Sequence, residues 1–145
     1  RPCLSCNQGC VGSVFRGMPG TCVLNPRAGH ELDWPAPQPG AGRTARRSIA
    51  VIGGGPAGLE TARLAAERGF AVTLHEAGDH LGGQWRLAAA TPRRGELGLA
   101  LRGWEAELRR LGVAVRLGER IDPASPPLAD RVVWAVGSSP AQTAV

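Results

Sequence analysis

The stretch "SIAVIGGGPAGLETARLAAERGFAVTLHE", residues 48–76, decides the fold. Its first part, "SIAVIG" (48–53), is a short apolar run that reads as a β-strand. "AGLETARLAAERG" (57–69) reads as a helix closed by Gly69, a natural C-terminal cap. "AVTLHE" (71–76) reads as a second strand that ends in an acid. Between the first strand and the helix lies Gly53-x-Gly55-x-x-Gly58. In that setting Gly53 permits a tight turn, Gly55 lets the backbone approach a pyrophosphate, and Gly58 lets helix and strand pack closely. The helix N-terminus then offers N–H donors and a partial positive charge to phosphates. Glu76 lies 18 residues beyond Gly58, where a carboxylate accepts hydrogen bonds from a ribose diol and disfavours a 2′-phosphate. The site therefore suits FAD or another unphosphorylated nucleotide rather than NADP. The competing reading is a glycine turn that packs a helix and binds nothing. The strand, helix, second strand and terminal acid around the turn weigh against it.

Downstream, the βαβ pattern continues. Gly78 to Gln84 read as a glycine-containing loop, in which the pair Gly82-Gly83 favours the longer FAD over NAD. Gln84 is placed to hydrogen-bond the ribityl–pyrophosphate part of such a ligand. Arg93 and Arg94 are expected to open the next helix, where a guanidinium reaches toward a pyrophosphate; a solvated turn is the alternative. Over residues 95–111, Leu97, Leu101, Trp104, Leu108 and Leu111 recur at helical spacing and share one face. "VAVRL" (113–117) and "RVVWAVG" (131–137) are a third and a fourth strand. Right-handed crossovers place the helices on the faces of a parallel sheet. The fold class is α/β, a Rossmann-like FAD/NAD(P)-binding sheet, incomplete and preceded by an irregular Cys-rich segment.

Upstream, all four cysteines fall in the first 22 residues, as C-x2-C-x3-C-x11-C: Cys3, Cys6, Cys10 and Cys22. The first three are too crowded to supply two unstrained disulfides, and zinc more often takes two C-x-x-C pairs or Cys with His. Three thiolates from one tight loop and a fourth from a distance suit the corners of a [4Fe–4S] cube. Zinc stays as the second reading, and disulfides or free thiols as the third. Residues 34–47, "WPAPQPGAGRTARR", read as a Pro/Gly/Arg linker. The expected organisation is a cluster-binding segment over 1–33, that linker, and the N-terminal part of an FAD-binding domain over 48–145.

Composition sets outer limits. The 145 residues carry a net charge of +5, and all 17 cationic residues are arginine. The arginines are scattered without interleaved aromatics, so nucleic-acid binding is not expected. No run approaches the roughly 18 apolar residues of a membrane helix, and the N-terminus lacks the basic-then-apolar pattern of a signal peptide. A cytoplasmic location is expected. Residue 1 is Arg, not Met, as expected of a segment of a longer polypeptide. His30, His75 and His80 read as simple surface or core residues.

Together the two motifs carry a resemblance. "RPCLSCNQGC…CVLNPRAGHE", "IAVIGGGPAGLETARLAAERGFAVTLHEAGDHLGGQ" and "RVVWAVGSSP" resemble stretches of the iron–sulfur flavoenzymes that include 2,4-dienoyl-CoA reductase and trimethylamine dehydrogenase. Bacterial members of the 2,4-dienoyl-CoA reductase type, mycofactocin-associated ones included, look closest. In the last stretch Val136 stands where the family usually has Thr. The resemblance implies [4Fe–4S] ligation by Cys3, Cys6, Cys10 and Cys22. It also implies an FAD site lined by Ala57, Glu76, Gln84, Arg94 and Ile121, the last beside the adenine. It implies an electron relay from NAD(P)H through FAD and the cluster to FMN, which reduces an activated C=C bond. The FMN-binding barrel, the NAD(P)H-binding domain and the catalytic acid would lie in other parts of the parent chain, so this segment alone is expected to be inactive. Two alternatives stay open: a trimethylamine-dehydrogenase-like segment that binds ADP and sends electrons outward, and a zinc-stabilised nucleotide-binding module or inactive fragment. The sequence fixes neither the substrate nor the oligomer.

Overall fold

A computed structural model describes residues 2–34 and 47–138. The expected linker falls almost wholly outside the described residues. The order of elements is α1 (Val11–Val14), β1 (Ser48–Ile52), α2 (Pro56–Glu67), β2 (Ala71–His75), α3 (Gln84–Ala89), α4 (Leu97–Arg110), β3 (Ala114–Arg116) and β4 (Arg131–Trp134). The four strands form one sheet in the order β3-β2-β1-β4, and every pairing is parallel. Parallel neighbours need crossovers, and α2 supplies the one between β1 and β2.

The central strands are the apolar ones. Val51 and Leu74, on β1 and β2, are fully buried, as is Leu59 on α2. Those side chains share a core with Ala62, Leu101, Trp104 and Leu108. On α4 the predicted apolar face is the one that packs: Leu101, Trp104 and Leu108 are buried, while Leu97 and Leu111 are half-buried at its ends. Both long helices end alike. At α2, the Gly69 and Phe70 N–H groups donate to the Ala66 and Ala65 carbonyls, with Gly69 at φ +92°. At α4, Gly112 and Val113 do the same to Arg109 and Leu108, with Gly112 at φ +70°. These are Schellman closures, which turn the chain sharply into β2 and β3.

The sequence reading is corrected in several elements. Arg93 and Arg94 do not open the helix expected over 95–111, which starts at Leu97; they lie in the exposed turn before it, the alternative reading. A short helix, α3, lies between β2 and that turn, in which Arg93 adopts φ +63°. The run "QWRLAA" is made of good helix formers, and it starts directly after Gly83. Trp85 fixes α3 on α4: its indole N–H donates to the Leu97 carbonyl at 2.9 Å, and its ring meets Trp104 edge-on. The third and fourth strands are also shorter than read, running over 114–116 and 131–134.

The Cys-rich segment is not a separate lobe. Leu4 and Leu24, near its two ends, are buried in the same core as α2 and α4. Polar contacts reinforce that docking. Arg27 pairs with Glu67 at 3.5 Å, Glu67 pairs with buried Arg63 at 2.9 Å, and Arg63 makes two bonds to Glu60. Burial works against the charge on Arg63, but the hydrogen bonds and charges of Glu60 and Glu67 outweigh it and raise its pKa. Among the described residues, no helix is long and apolar enough to cross a membrane.

Candidate nucleotide site

The glycine loop lies at the C-terminal end of β1, where α/β sheets present their ligands. Gly53 adopts φ +108°, and a Cβ there would press on the Ala135 carbonyl. At Gly58, a Cβ would strike the Gly53 carbonyl, so α2 comes as close to the loop as its backbone allows. Gly55 caps α2 with its carbonyl accepting from the Leu59 N–H at 2.9 Å, and Pro56 occupies the first helical position. The cap residue brings no side-chain hydrogen bond, so the amides of Ala57 and Gly58 end the helix without a local side-chain acceptor. A Cβ on Gly55 would enter open space. These features give an anion a gap to occupy and N–H donors to face.

Glu76 stands at the exit of β2 and reaches the same loop. One carboxylate oxygen accepts the Gly54 N–H at 2.6 Å; the other accepts the Gly78 N–H at 2.7 Å. Two backbone donors thus fix the plane of the carboxylate. An ionised carboxylate has about four acceptor positions, so each oxygen keeps capacity for a hydroxyl. That is the geometry needed to receive a vicinal diol.

The loop after β2 folds back over the glycine turn. The Gly82 N–H donates to the Gly54 carbonyl at 2.7 Å, and a Cβ on Gly83 would lie 3.2 Å from the Gly55 Cα. Gln84, the first residue of α3, donates its side-chain amide to the Ser138 carbonyl at 2.9 Å. It therefore ties α3 to the segment that follows β4. Gly53, Gly55, Ala57, Gly58, Glu76 and Gln84 all lie on this one face of the sheet's C-terminal edge. The described contacts of Arg94 are local: its N–H donates to the Thr91 carbonyl, and its carbonyl accepts from the Leu97 N–H at the start of α4. Ile121 is half-buried in the loop after β3. No described contact joins either residue to the glycine loop.

Sequence reasoning missed three participants. Gly54 is buried, and a Cβ there would sit 2.7 Å from Leu81 and 2.9 Å from the Glu76 carboxylate. Gly78 supplies the second donor to Glu76. His75, read as a simple surface or core residue, is buried and pairs with Glu119 at 3.0 Å. The unbroken G-G-G run over 53–55 signals Gly54, its middle glycine; only tertiary geometry shows the other two.

The four cysteines are free and exposed. Among the described residues, no three Cys, His, Asp or Glu side chains gather as a metal site. The backbone nonetheless has features that suit a thiolate loop. The Thr21 N–H donates to the Gly9 carbonyl at 2.7 Å, which brings the neighbours of Cys10 and Cys22 together. The Ser5 N–H points at the Cys3 sulfur at 3.3 Å, and Ser5 and Asn7 both take positive φ, which turns the chain tightly between the cysteines.

Fold and site together define a Rossmann-like dinucleotide-binding protein. The NAD(P)-binding Rossmann-like domain family matches residues 51–117. The chain is 42% identical over 147 residues to an NADH oxidase of Thermoanaerobacter brockii, a match that covers 97% of this chain and 22% of the oxidase. It is 41% identical to the N,N-dimethylglycine/sarcosine dehydrogenase of Chromohalobacter salexigens, over 97% of this chain and 20% of that one. Its structure superposes on a 2-naphthoyl-CoA reductase with a TM-score of 0.87 at 34% identity, over 97% of this chain and 21% of the reductase. Over nearly its whole length the chain is similar to one segment of these oxidoreductases. It spans about one fifth of the length of these relatives.

Proposed function

We propose that this chain is the nucleotide-binding and electron-transfer part of an NAD(P)H-dependent ene-reductase of the 2,4-dienoyl-CoA reductase kind. It holds FAD at the N-terminus of α2 and a [4Fe–4S] cluster at Cys3, Cys6, Cys10 and Cys22. The observation that carries the reading is Glu76: its carboxylate is held by Gly54 and Gly78 beside a helix N-terminus that has no side-chain cap. A diol and a pyrophosphate have their partners there within one turn of chain. The Glu76 carboxylate orients the ribose and repels a 2′-phosphate. The Ala57 and Gly58 amides receive the pyrophosphate, and the Gly82-Gly83 backbone closes over it. Gln84 holds α3 against the segment after β4, which walls the site on the flavin side. FAD, when bound, supplies the exchange between two-electron nicotinamide chemistry and one-electron transfer to a cluster. The FMN barrel and NAD(P)H domain of the parent chain are the partners this assignment requires.

The cysteine assignment rests on donor chemistry and loop anchoring. Four thiols without a histidine match cluster ligation. Leu4, beside Cys3, and Leu24, two residues past Cys22, are buried in the core of the nucleotide fold, which supports a fixed separation between cluster and nucleotide. Similarity to the naphthoyl-CoA reductase supports the ene-reductase side. Similarity to the dimethylglycine/sarcosine dehydrogenase supports the second reading, in which the site holds ADP and electrons leave the protein.

Iron and acid-labile sulfide analysis of the anaerobically purified full-length protein tests the cluster. About four of each per chain are expected, falling to near zero in C10S/C22S. Zinc without sulfide would overturn the cluster assignment, and ADP in place of FAD would move the protein to the dehydrogenase reading.

A further inference from the structure

The short segment leaving β3 grips the end of β2 from the side opposite the glycine loop. The Glu76 N–H donates to the Arg116 carbonyl, and the Glu119 N–H donates to the Glu76 carbonyl, both at 2.9 Å. The Gly118 N–H donates to the Gly78 carbonyl at 2.8 Å, with Gly118 at φ +70° shaping the turn. The side chain of Glu119 then reaches back to His75, whose ring Nδ1 lies 3.0 Å from a carboxylate oxygen. Ionised Glu119 only accepts, so His75 Nδ1–H donates. The His75 side chain is 6% exposed, and its main-chain carbonyl accepts the Gly53 N–H at 2.8 Å.

One residue therefore links three parts. His75 holds the first glycine of the loop with its backbone, is held by Glu119 through its ring, and precedes Glu76 in the chain. A buried imidazole that loses its acceptor has an unsatisfied donor, a desolvation cost that favours local rearrangement. The next residue in the chain is Glu76, whose backbone is bonded to the same segment that carries Glu119. We infer that His75 and Glu119 are positioning residues that set the Glu76 carboxylate for a ribose diol, and so determine how strongly the site prefers a nucleotide bearing that diol. The inference rests on the nucleotide reading above and names the device that tunes the same site.

The test is the affinity ratio between ADP and 2′-deoxy-ADP, measured by calorimetry on the full-length protein freed of bound nucleotide. A general loss of fold lowers both affinities together. Loss of Glu76 positioning lowers only the preference for the diol. Wild type is expected to prefer ADP by about tenfold, the value of one good hydrogen bond to a charged group. E76A removes the preference. E119A, and H75F, which fills the buried space without a donor, are each expected to cut it to about twofold, with thermal melts reporting that the variants fold. E119Q keeps an acceptor oxygen and is expected to keep most of the preference. If E119A and H75F retain the wild-type ratio while E76A loses it, the nucleotide site stands and the positioning role is wrong. If E76A also keeps the ratio, both are wrong.

Discussion

G53A is expected to destabilise the protein by about 4 kcal/mol and to abolish nucleotide retention. Two costs add at this position. Gly53 sits at φ +108°, a conformation that an L-residue adopts only under strain of about 1–3 kcal/mol. Its new Cβ would press on the Ala135 carbonyl and lie 2.7 Å from the Ala135 carbonyl carbon. Ala135 cannot retreat easily, because its N–H is bonded to the Ile52 carbonyl at 2.7 Å in the sheet. Overpacking against backbone typically adds about 1–3 kcal/mol. For a chain of this size the sum lowers the melting temperature by roughly 10 °C. Differential scanning calorimetry checks the first effect and flavin content the second. A G53A protein that melts within about 2 °C of wild type and keeps its nucleotide would show that the turn is not built as described.

The second large effect is on binding. E76Q is expected to weaken FAD by about a hundredfold, equivalent to about 2.7 kcal/mol. In the wild type both carboxylate oxygens face backbone N–H groups, on Gly54 and Gly78. An amide offers one oxygen and one NH2, so one of those two donors faces another donor. The carboxamide then turns, and the acceptor presented to the ribose turns with it. The charge that strengthens the remaining bonds is lost as well. Titration of the deflavinated protein with FAD measures this directly; a change of less than about threefold would remove Glu76 from the site.

The glycine loop and its acid were legible in the sequence because their pattern is local. Residues 48–76 form one supersecondary unit, and period, turn glycines and terminal acid all lie within it. The same holds for the apolar face of α4, where Leu101, Trp104 and Leu108 announce their burial by spacing alone. What escaped is long-range. Gln84 is held by Ser138, 54 residues away, and His75 by Glu119, 44 away. No window of sequence contains either pair. The third helix was hidden for a different reason. Its six residues are too few for an apolar period to declare itself, and its stability comes from Trp85 on α4. The docking of the Cys-rich segment by Leu4 and Leu24 was equally invisible, since two leucines among cysteines carry no pattern. The loop between β2 and α3 shows how the two kinds of information combine. Gly82 and Gly83 suggested a long dinucleotide, and the structure gives them a second role, packing the chain onto Gly54 and Gly55.

The central claim is that the cradle formed by Gly53–Gly58, Glu76 and Gly82-Gly83 holds FAD. The most direct measurement is to purify the full-length protein without oxygen, denature it, and identify the released nucleotide by chromatography and mass. The account predicts FAD at close to one per chain. A protein that releases no dinucleotide, or one carrying a 2′-phosphate, would contradict it.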